Sequence, residues 1–243
     1  MNKLSHQKHY NVLILKSLIV LLFASYLNAQ NSSEIKLRYP KLRYLVSNWQ
    51  IHQLKDSGAL IVRLRSNQKL LQILKEKNQL QTIKQIQNET NTHNKIIMQS
   101  FKKHYNFSPV YFMYDFSTNE LIKNPKAKVF LNDNLEIDTT IYLKESFYLY
   151  ADIFSPVIES TLPLLPDSLA INASESGPAN KTAAILIKNK YNLQLKHPFP
   201  YLINGYNILK FEKYVIKLNQ KFFKFLDKNP KEHYPSQIKP YLY

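Results

Sequence analysis

The side chains that could carry out acid–base chemistry or bind a metal ion are few and lie far apart in the sequence. Asp115 follows one expected strand and Asp152 lies within another, so these two are the candidates for a carboxylate pair. No surrounding pattern supports that pair. His93 and His104 are about three helical turns apart, roughly 16 Å, which is too far for both to bind one metal ion. We therefore expect two surface histidines and no metal site.

Residue types that common cofactor sites require are missing or isolated. The chain has no cysteine, which excludes disulfides, thiol nucleophiles and thiolate metal ligands. Its three glycines, Gly58, Gly177 and Gly205, stand alone, so neither a dinucleotide-binding nor a phosphate-binding glycine loop is present. The zinc-protease pattern HExxH and the hydrolase pattern GxSxG are also absent from the sequence. We therefore expect no cofactor.

A row of lysines near the C-terminus is the one charged pattern with a clear period. It recurs at three- and four-residue steps beside an apolar helical stripe that runs from Ile208 to Phe225. We call it the lysine row; it comprises Lys210, Lys213, Lys217, Lys221, Lys224 and Lys228. One interpretation is the solvated face of an ordinary amphipathic helix. The other is a weak, charge-driven contact with an anionic surface or polymer of the cell envelope.

The overall charge favours an anionic partner only weakly. The formal net charge is +16, from 33 basic and 17 acidic residues. Only four of the basic residues are arginine, and the chain is rich in Lys, Asn, Ile and Tyr together, so a compositional bias explains the charge equally well. No motif of stacked aromatic side chains and arginines appears, so a nucleic-acid partner is not expected.

The N-terminus has the layout of a secretory signal peptide. Residues 2–16 carry three lysines and no acid, residues 17–27 are mostly apolar, and Ala29 offers a small residue before Gln30. The apolar run is shorter than the ~20 residues of a membrane span. We expect residues 1–29 to be removed and the protein to be periplasmic or secreted; the alternative is an uncleaved N-terminal anchor.

The centre of the chain predicts a β-α-β unit with a long helical crossover. Strands are expected at Gly58–Arg65 and Pro109–Tyr114, as neighbours in parallel, because the intervening segment is long enough for a crossover. One face of the first strand carries Arg63 and Arg65, so we expect the far end of that face to be exposed to water. The second strand is apolar on both faces, which is typical of a central strand. The crossover forms either one helix with a solvated middle or two helices that break near Asn78 or Asn91.

Further strands and a C-terminal amphipathic helix complete the expected mixed α/β fold. Strands are expected at Lys128–Leu131 and Phe147–Phe154, followed by a long loop over 155–182. A hairpin should join Ala183–Ile187 to Leu193–Leu195, and the last helix should begin after Asn207 and end at Asn229. The expected divisions are a signal peptide at 1–29, an N-terminal segment with a short helix at 30–57, one mixed α/β domain at 58–228 and an extended tail at 229–243. The order of elements is similar to that of thioredoxin-like folds, an analogy that implies nothing about function.

Three stretches resemble a group of small exported bacterial proteins of uncharacterised function. They are Phe101–Tyr114, Val129–Asp133, and Ala183–Tyr201 with its HPFPY sequence. The resemblance spans roughly residues 58–227. It implies export and this order of elements, and it carries no functional residues.

These observations favour a non-catalytic envelope or secreted interaction module, with an unknown protein or an anionic envelope surface as its partner. One alternative is a hydrolase-type enzyme whose site is assembled from scattered Asp, His, Tyr and Lys residues. Another is a small-ligand carrier that uses the aromatic-rich strands. Two carboxylates, or a histidine and a carboxylate, meeting in a pocket would favour the enzyme. An enclosed aromatic cavity would favour the carrier.

Overall fold

A five-stranded mixed sheet with helices on its faces forms the centre of the protein. The computed structural model describes residues 44–153, 183–195, 197–205 and 207–232. The strands are β1 (Gly58–Leu64), β2 (Val110–Tyr114), β3 (Phe147–Ile153), β4 (Ala183–Lys188) and β5 (Leu202–Asn204). The helices are α1 (residues 44–57), α2 (Gln68–Glu76), α3 (Leu80–His104), α4 (Thr118–Lys123) and α5 (Phe211–Lys228). Short 3₁₀ turns at Asp115–Ser117 and Ile208–Lys210 precede α4 and α5. The predicted mixed α/β class is confirmed.

Several expectations concern residues outside these ranges. The signal peptide, the loop over 155–182 and the tail beyond residue 232 all lie outside the described residues. By its internal contacts the chain divides after Tyr44, and the second unit is Leu45–Tyr243. Within the described ranges, no helix combines the length and apolar character needed to cross a membrane.

The strand order is β2-β1-β3-β4-β5. β1 lies between β2 and β3 and runs parallel to both; Val62 is level with Phe112 on one side and with Ala151 on the other. β4 is antiparallel to β3, and β5 to β4. The parallel pairing of the first two predicted strands is therefore confirmed. All seven residues of β1 are buried, as expected for a strand with neighbours on both edges and cover on both faces.

The prediction that β2 is central was wrong, because β2 lies at an edge of the sheet. Phe112 is buried in the core beneath α3 and α5, and Met113 is buried on the opposite face. Apolar side chains on both faces of a strand show that both faces are covered. They do not show how many strands lie beside it in the sheet. The outer edge is partly closed by the segment expected as a strand at Lys128–Leu131, which forms only isolated bridges; Leu131 N donates to Phe112 O at 2.9 Å.

The crossover consists of two helices that break at Asn78, one of the two predicted places. Asn78 has a φ of 55°, a left-handed conformation that asparagine tolerates better than most residues. α3 continues through its polar middle without a break, and part of that middle is buried. Thr90 accepts a hydrogen bond from Asn67 Nδ2 at 2.7 Å, and Asn94 Nδ2 donates to Arg65 O at 2.8 Å, so both polar side chains are buried with partners.

Each face of the sheet has its own apolar core. The larger core lies between the sheet, α3 and α5, where Phe222 packs against Phe107 and Phe199 with ring centroids 5.2 and 5.8 Å apart. The smaller core lies on the other face and includes Met113, Phe130 and Tyr150. Each fully buried aromatic side chain contributes on the order of 3–5 kcal/mol to stability when compared with alanine.

The segment between β4 and α5 departs from the expected hairpin. Asn192, with a φ of 64°, turns the chain back as predicted, but Leu193–Leu195 makes only one bridge, between Gln194 and Lys188. β5 takes the place next to β4 instead. Asn207 Oδ1 accepts a hydrogen bond from Leu209 N at 2.8 Å, so the predicted cap starts the 3₁₀ turn that leads into α5.

Candidate functional site

The fold holds the lysine row in one fixed orientation. Val215, Leu218 and Phe222 are fully buried, and their burial fixes the rotation of α5 about its axis. At 3.6 residues per turn, the five lysines within α5 fall inside an arc of about 80° and span ~22 Å along the helix. All members of the row except Lys221 are exposed.

Lys221 differs from the other five lysines. It is half-buried, and its Nζ donates a hydrogen bond to Leu202 O on the edge strand β5 at 3.2 Å. Burial lowers the pKa of Lys221, and the neighbouring charge of Lys217 lowers it further. Lys221 therefore connects α5 to the sheet, and five lysines remain to meet a partner.

One of the two acids on α5 faces away from the row. Glu212 Oε1 lies 3.3 Å from Lys103 Nζ and 2.5 Å from His104 Nε2 on α3. The hydrogen bonds from Lys103 and His104 lower the pKa of Glu212. His104, expected as a surface histidine, thus takes part in an interhelical pair. Asp227 is the other acid of α5, so the exposed row keeps a net positive charge.

The candidate carboxylate pair does not form. Asp115 accepts hydrogen bonds from Ser66 Oγ at 2.7 Å and from Phe116 N at 2.9 Å. Asp152 is paired with Arg63 and with Lys188, whose Nζ lies 2.6 Å from Asp152 Oδ2. Their strands flank β1 on opposite sides, which separates the two backbones by about 10 Å.

Arg63 is buried, contrary to the prediction that this face of β1 meets water. Only 8% of Arg63 is exposed, and both Nε and Nη2 donate to Asp152 on β3. Nη2 also donates to Asn192 Oδ1 at 2.6 Å, and Nη1 to Thr118 Oγ1 at 3.3 Å. The guanidinium carbon lies 4.6 Å from the ring centroid of Tyr150. Arg63 therefore connects β1, β3, the turn after β4, and α4.

The position of this network is where open α/β sheets commonly bind ligands. Arg63 and Asp152 stand near the carboxyl ends of β1 and β3, where the connection from β1 runs to β2 and the connection from β3 runs to β4 on the opposite side. Here the chain's own side chains fill the place. Sequence reasoning missed the network, although the charges of Arg63 and Asp152 within apolar strands were a usable signal.

Among the cavities that open onto the described surface, two are of similar size. The first, of about 420 Å³, lies beside β2; its lining includes Tyr111 and the ion pair between Lys102 and Asp133. The second, of about 400 Å³, is lined by aromatic and amide side chains between α1 and the start of β3. Neither cavity combines two carboxylates, or a histidine with a carboxylate, among its lining residues. Over the described ranges, no group of three His, Asp or Glu side chains is arranged to hold a metal ion.

Comparison with known proteins adds no assignment to this geometry. No protein-family model, curated protein or solved structure matches the chain.

Proposed function

We propose that this chain is a non-catalytic protein of the cell envelope or of the secreted fraction, and that it contacts an anionic surface through the lysine row. The observation that carries the proposal is the exposure of four lysines along one side of α5, a helix whose rotation is fixed by its buried face, together with exposed Lys210 in the turn before it. The chemistry recognised is an array of phosphate or carboxylate groups.

The contact is driven by charge, since the apolar face of α5 is already used. A helix that lies within a membrane interface needs a free apolar face. Phe211, Phe222 and Phe225 are buried in the larger core and are not available for insertion. The row therefore meets its partner from outside, through its ammonium groups.

The expected strength is modest and depends on salt. Each lysine close to an anionic membrane adds about 1 kcal/mol, and the attraction falls off within a Debye length. That length is about 8 Å at physiological ionic strength. A weak contact of this kind concentrates a protein at a surface without anchoring it permanently.

The absence of a catalytic role is supported by the state of the acidic side chains. Asp152 and Glu212 are each held by two basic partners, and Asp115 accepts two hydrogen bonds. For Glu212 the hydrogen bonds from Lys103 and His104 lower the pKa, and a carboxylate stabilised in its charged form is a poor general base.

Vesicle co-sedimentation tests the proposal. Protein recovered from the cell envelope, with its N-terminus checked by mass spectrometry, is mixed with vesicles of phosphatidylglycerol and phosphatidylcholine, or of phosphatidylcholine alone. The N-terminal check ensures that an uncleaved apolar segment is not the cause of binding. We expect binding to the anionic vesicles that weakens as salt rises past about 0.15 M. A soluble polyanion in place of vesicles distinguishes a polymer from a lipid surface.

The decisive variant changes three exposed lysines of the row, Lys213→Gln, Lys217→Gln and Lys224→Gln. The matched control removes the same charge from three exposed lysines in α2, in α3 and in the turn between them: Lys75→Gln, Lys77→Gln and Lys84→Gln. We expect the first variant to lose binding and the control to retain most of it. Equal losses in both would show that net charge alone is responsible, and no binding at low salt would refute the proposal.

A further inference from the structure

The cavity beside β2 lies at the outer edge of the sheet. Its volume of about 420 Å³ falls within the range of small-molecule sites. Val110 and Tyr111 line it on the strand, and residues 131–134 line it beyond the edge. None of its lining residues belongs to the lysine row, so an inference about this cavity is independent of the function proposed above.

The backbone of Val110 faces this cavity. Leu60 N donates to Pro109 O at 2.9 Å, and Leu60 is level with Val110. In this parallel register alternate residues of β2 bond to β1, so the N–H and C=O of Val110 point to the outer edge instead. Leu131 N reaches that edge further along, at Phe112 O, and within the described ranges no group bonds to these two atoms of Val110. The cavity therefore offers one donor and one acceptor side by side.

An exposed ion pair contributes to the same lining. Lys102 on α3 pairs with Oδ1 of Asp133, and the two side chains are 44% and 81% exposed. Oδ2 of Asp133 accepts no hydrogen bond from any described residue. An exposed pair of this kind contributes at most about 1 kcal/mol, so a ligand can replace either partner at little cost. The cavity therefore presents a positive and a negative group next to each other.

Another part of the lining is apolar. Tyr111 and Ile141 pack against the smaller core and are only half-buried, so part of their apolar surface remains open to the cavity. The ring of Tyr111 lies against that of Phe130 with centroids 5.0 Å apart, which holds it in place. An apolar side chain that covers these residues is stabilised by about 25 cal/mol for each Å² removed from water.

These features together narrow the ligand class. A ligand with a single charge would satisfy one member of the ion pair and leave the other without a counter-charge. An α-amino acid carries both charges close together, because its ammonium and carboxylate groups are attached to the same carbon. A longer peptide strand finds no room along the edge, since Leu131 occupies the next place and bonds to Phe112 O at 2.9 Å.

We propose that this cavity binds a free apolar α-amino acid. The ligand carboxylate accepts hydrogen bonds from Lys102 Nζ and Val110 N. The ligand ammonium group donates to the carboxylate of Asp133 and to Val110 O, and the side chain covers Tyr111 and Ile141. The exchange of two hydrogen bonds with Val110 repeats the pairing found between antiparallel strands. Hydrogen bonds to ionised groups are roughly twice as strong as neutral ones, so the two charges of the ligand determine its recognition.

Saturation-transfer NMR on the full protein tests the proposal, with L-leucine and L-phenylalanine as ligands. Two matched probes each lack one charge of leucine: isocaproate has no ammonium group, and isoamylamine has no carboxylate. N-acetylleucinamide carries neither charge and represents a residue within a peptide. We expect at least one of the amino acids to bind with a Kd of order 1 mM, and the three other probes to bind at least about tenfold more weakly.

The variant Asp133→Asn keeps the shape of the side chain, removes the counter-charge of the ligand ammonium group and leaves Lys102 unpaired. We expect its Kd for leucine to rise about fivefold and its Kd for isocaproate to fall, so that the preference for leucine disappears. The control Asp56→Asn breaks another exposed ion pair, with Lys231, and should keep the preference of the parent protein. Circular dichroism melting of both variants confirms that they fold.

Four results would overturn the proposal. The first two are no saturation by either amino acid up to about ten times the expected Kd, and a Kd for isocaproate or isoamylamine equal to that for leucine. The third is equally tight binding of N-acetylleucinamide, which would show that the edge recognises a peptide backbone. The fourth is an unchanged preference for leucine in folded Asp133→Asn. None of them bears on vesicle binding by the lysine row.

Discussion

Arg63 and Asp152 face each other across the parallel strands β1 and β3, and the guanidinium donates to both oxygens of the carboxylate. Lys188 shares the same carboxylate from β4, so three neighbouring strands meet in one largely buried ion cluster. Its members lie far apart in sequence, and the cluster therefore fixes the alignment of these strands.

Removal of the carboxylate should destabilise the protein strongly. Asp152→Ala leaves the buried charge of Arg63 without its counter-ion, and we expect the free energy of unfolding to fall by about 3–5 kcal/mol. Urea denaturation followed by circular dichroism measures the loss. The control Asp133→Ala removes an exposed partner of Lys102 and should cost less than about 1 kcal/mol. Similar losses in both variants would contradict the role given to the cluster.

Phe112 should behave as a core residue although its strand lies at an edge. Phe112→Ala opens a cavity beside Phe101, whose ring centroid lies 6.4 Å away, and we expect a loss of about 3–5 kcal/mol in the free energy of unfolding. Phe116→Ala is the matched control, because Phe116 is 45% exposed. A loss below about 1 kcal/mol for Phe112→Ala would be incompatible with the packing described above.

Tyr111 should make the protein less stable in strong alkali. Burial raises the pKa of Tyr111 from 10.0 to about 12, and the nearby carboxylate of Glu145 adds to the shift. The folded state thus holds this proton where the unfolded state has lost it. Its contribution to stability is complete below pH 10 and disappears as the pH rises through 12. Between these pH values the free energy of unfolding, taken from denaturation curves, should fall less steeply with pH for Tyr111→Phe than for the parent protein. Identical slopes would contradict the expectation.

The N-terminus should be processed after Ala29. The order of basic, apolar and small residues in 2–29 is that of a signal peptide. Mass spectrometry of protein from the cell envelope should find Gln30 as the first residue. Intact Met1 in cytosolic protein would reject export, and intact Met1 in the membrane fraction would favour the uncleaved anchor.

Much of the fold could be predicted because the spacing of apolar residues along the chain indicates which side chains are buried. The length of the crossover and the single apolar stripe of α5 each predict one structural feature, and the structure contains both. The break at Asn78 was one of two predicted places. The edge position of β2 could not be predicted, since lateral neighbours leave no mark on the alternation of side chains.

The polar contacts were less predictable because their partners are distant in sequence. The sequence pattern around Arg63 indicates a strand end that meets water. Only the structure shows that Asp152 lies beside Arg63 and pairs with it. Lys221 has the same spacing as the exposed lysines, and only the position of β5 shows that its ammonium group is occupied.

The bond from Lys221 to Leu202 has a consequence for how copies of this protein behave beside one another. β5 is an outermost strand of only three residues, and an unpaired outer strand is a template on which a second chain can add its own. The ammonium group engages one of the carbonyls on β5 and places a positive charge close to that edge. A second molecule that approached in the same orientation would bring an identical charge, so crowded copies are discouraged from joining their sheets into an aggregate.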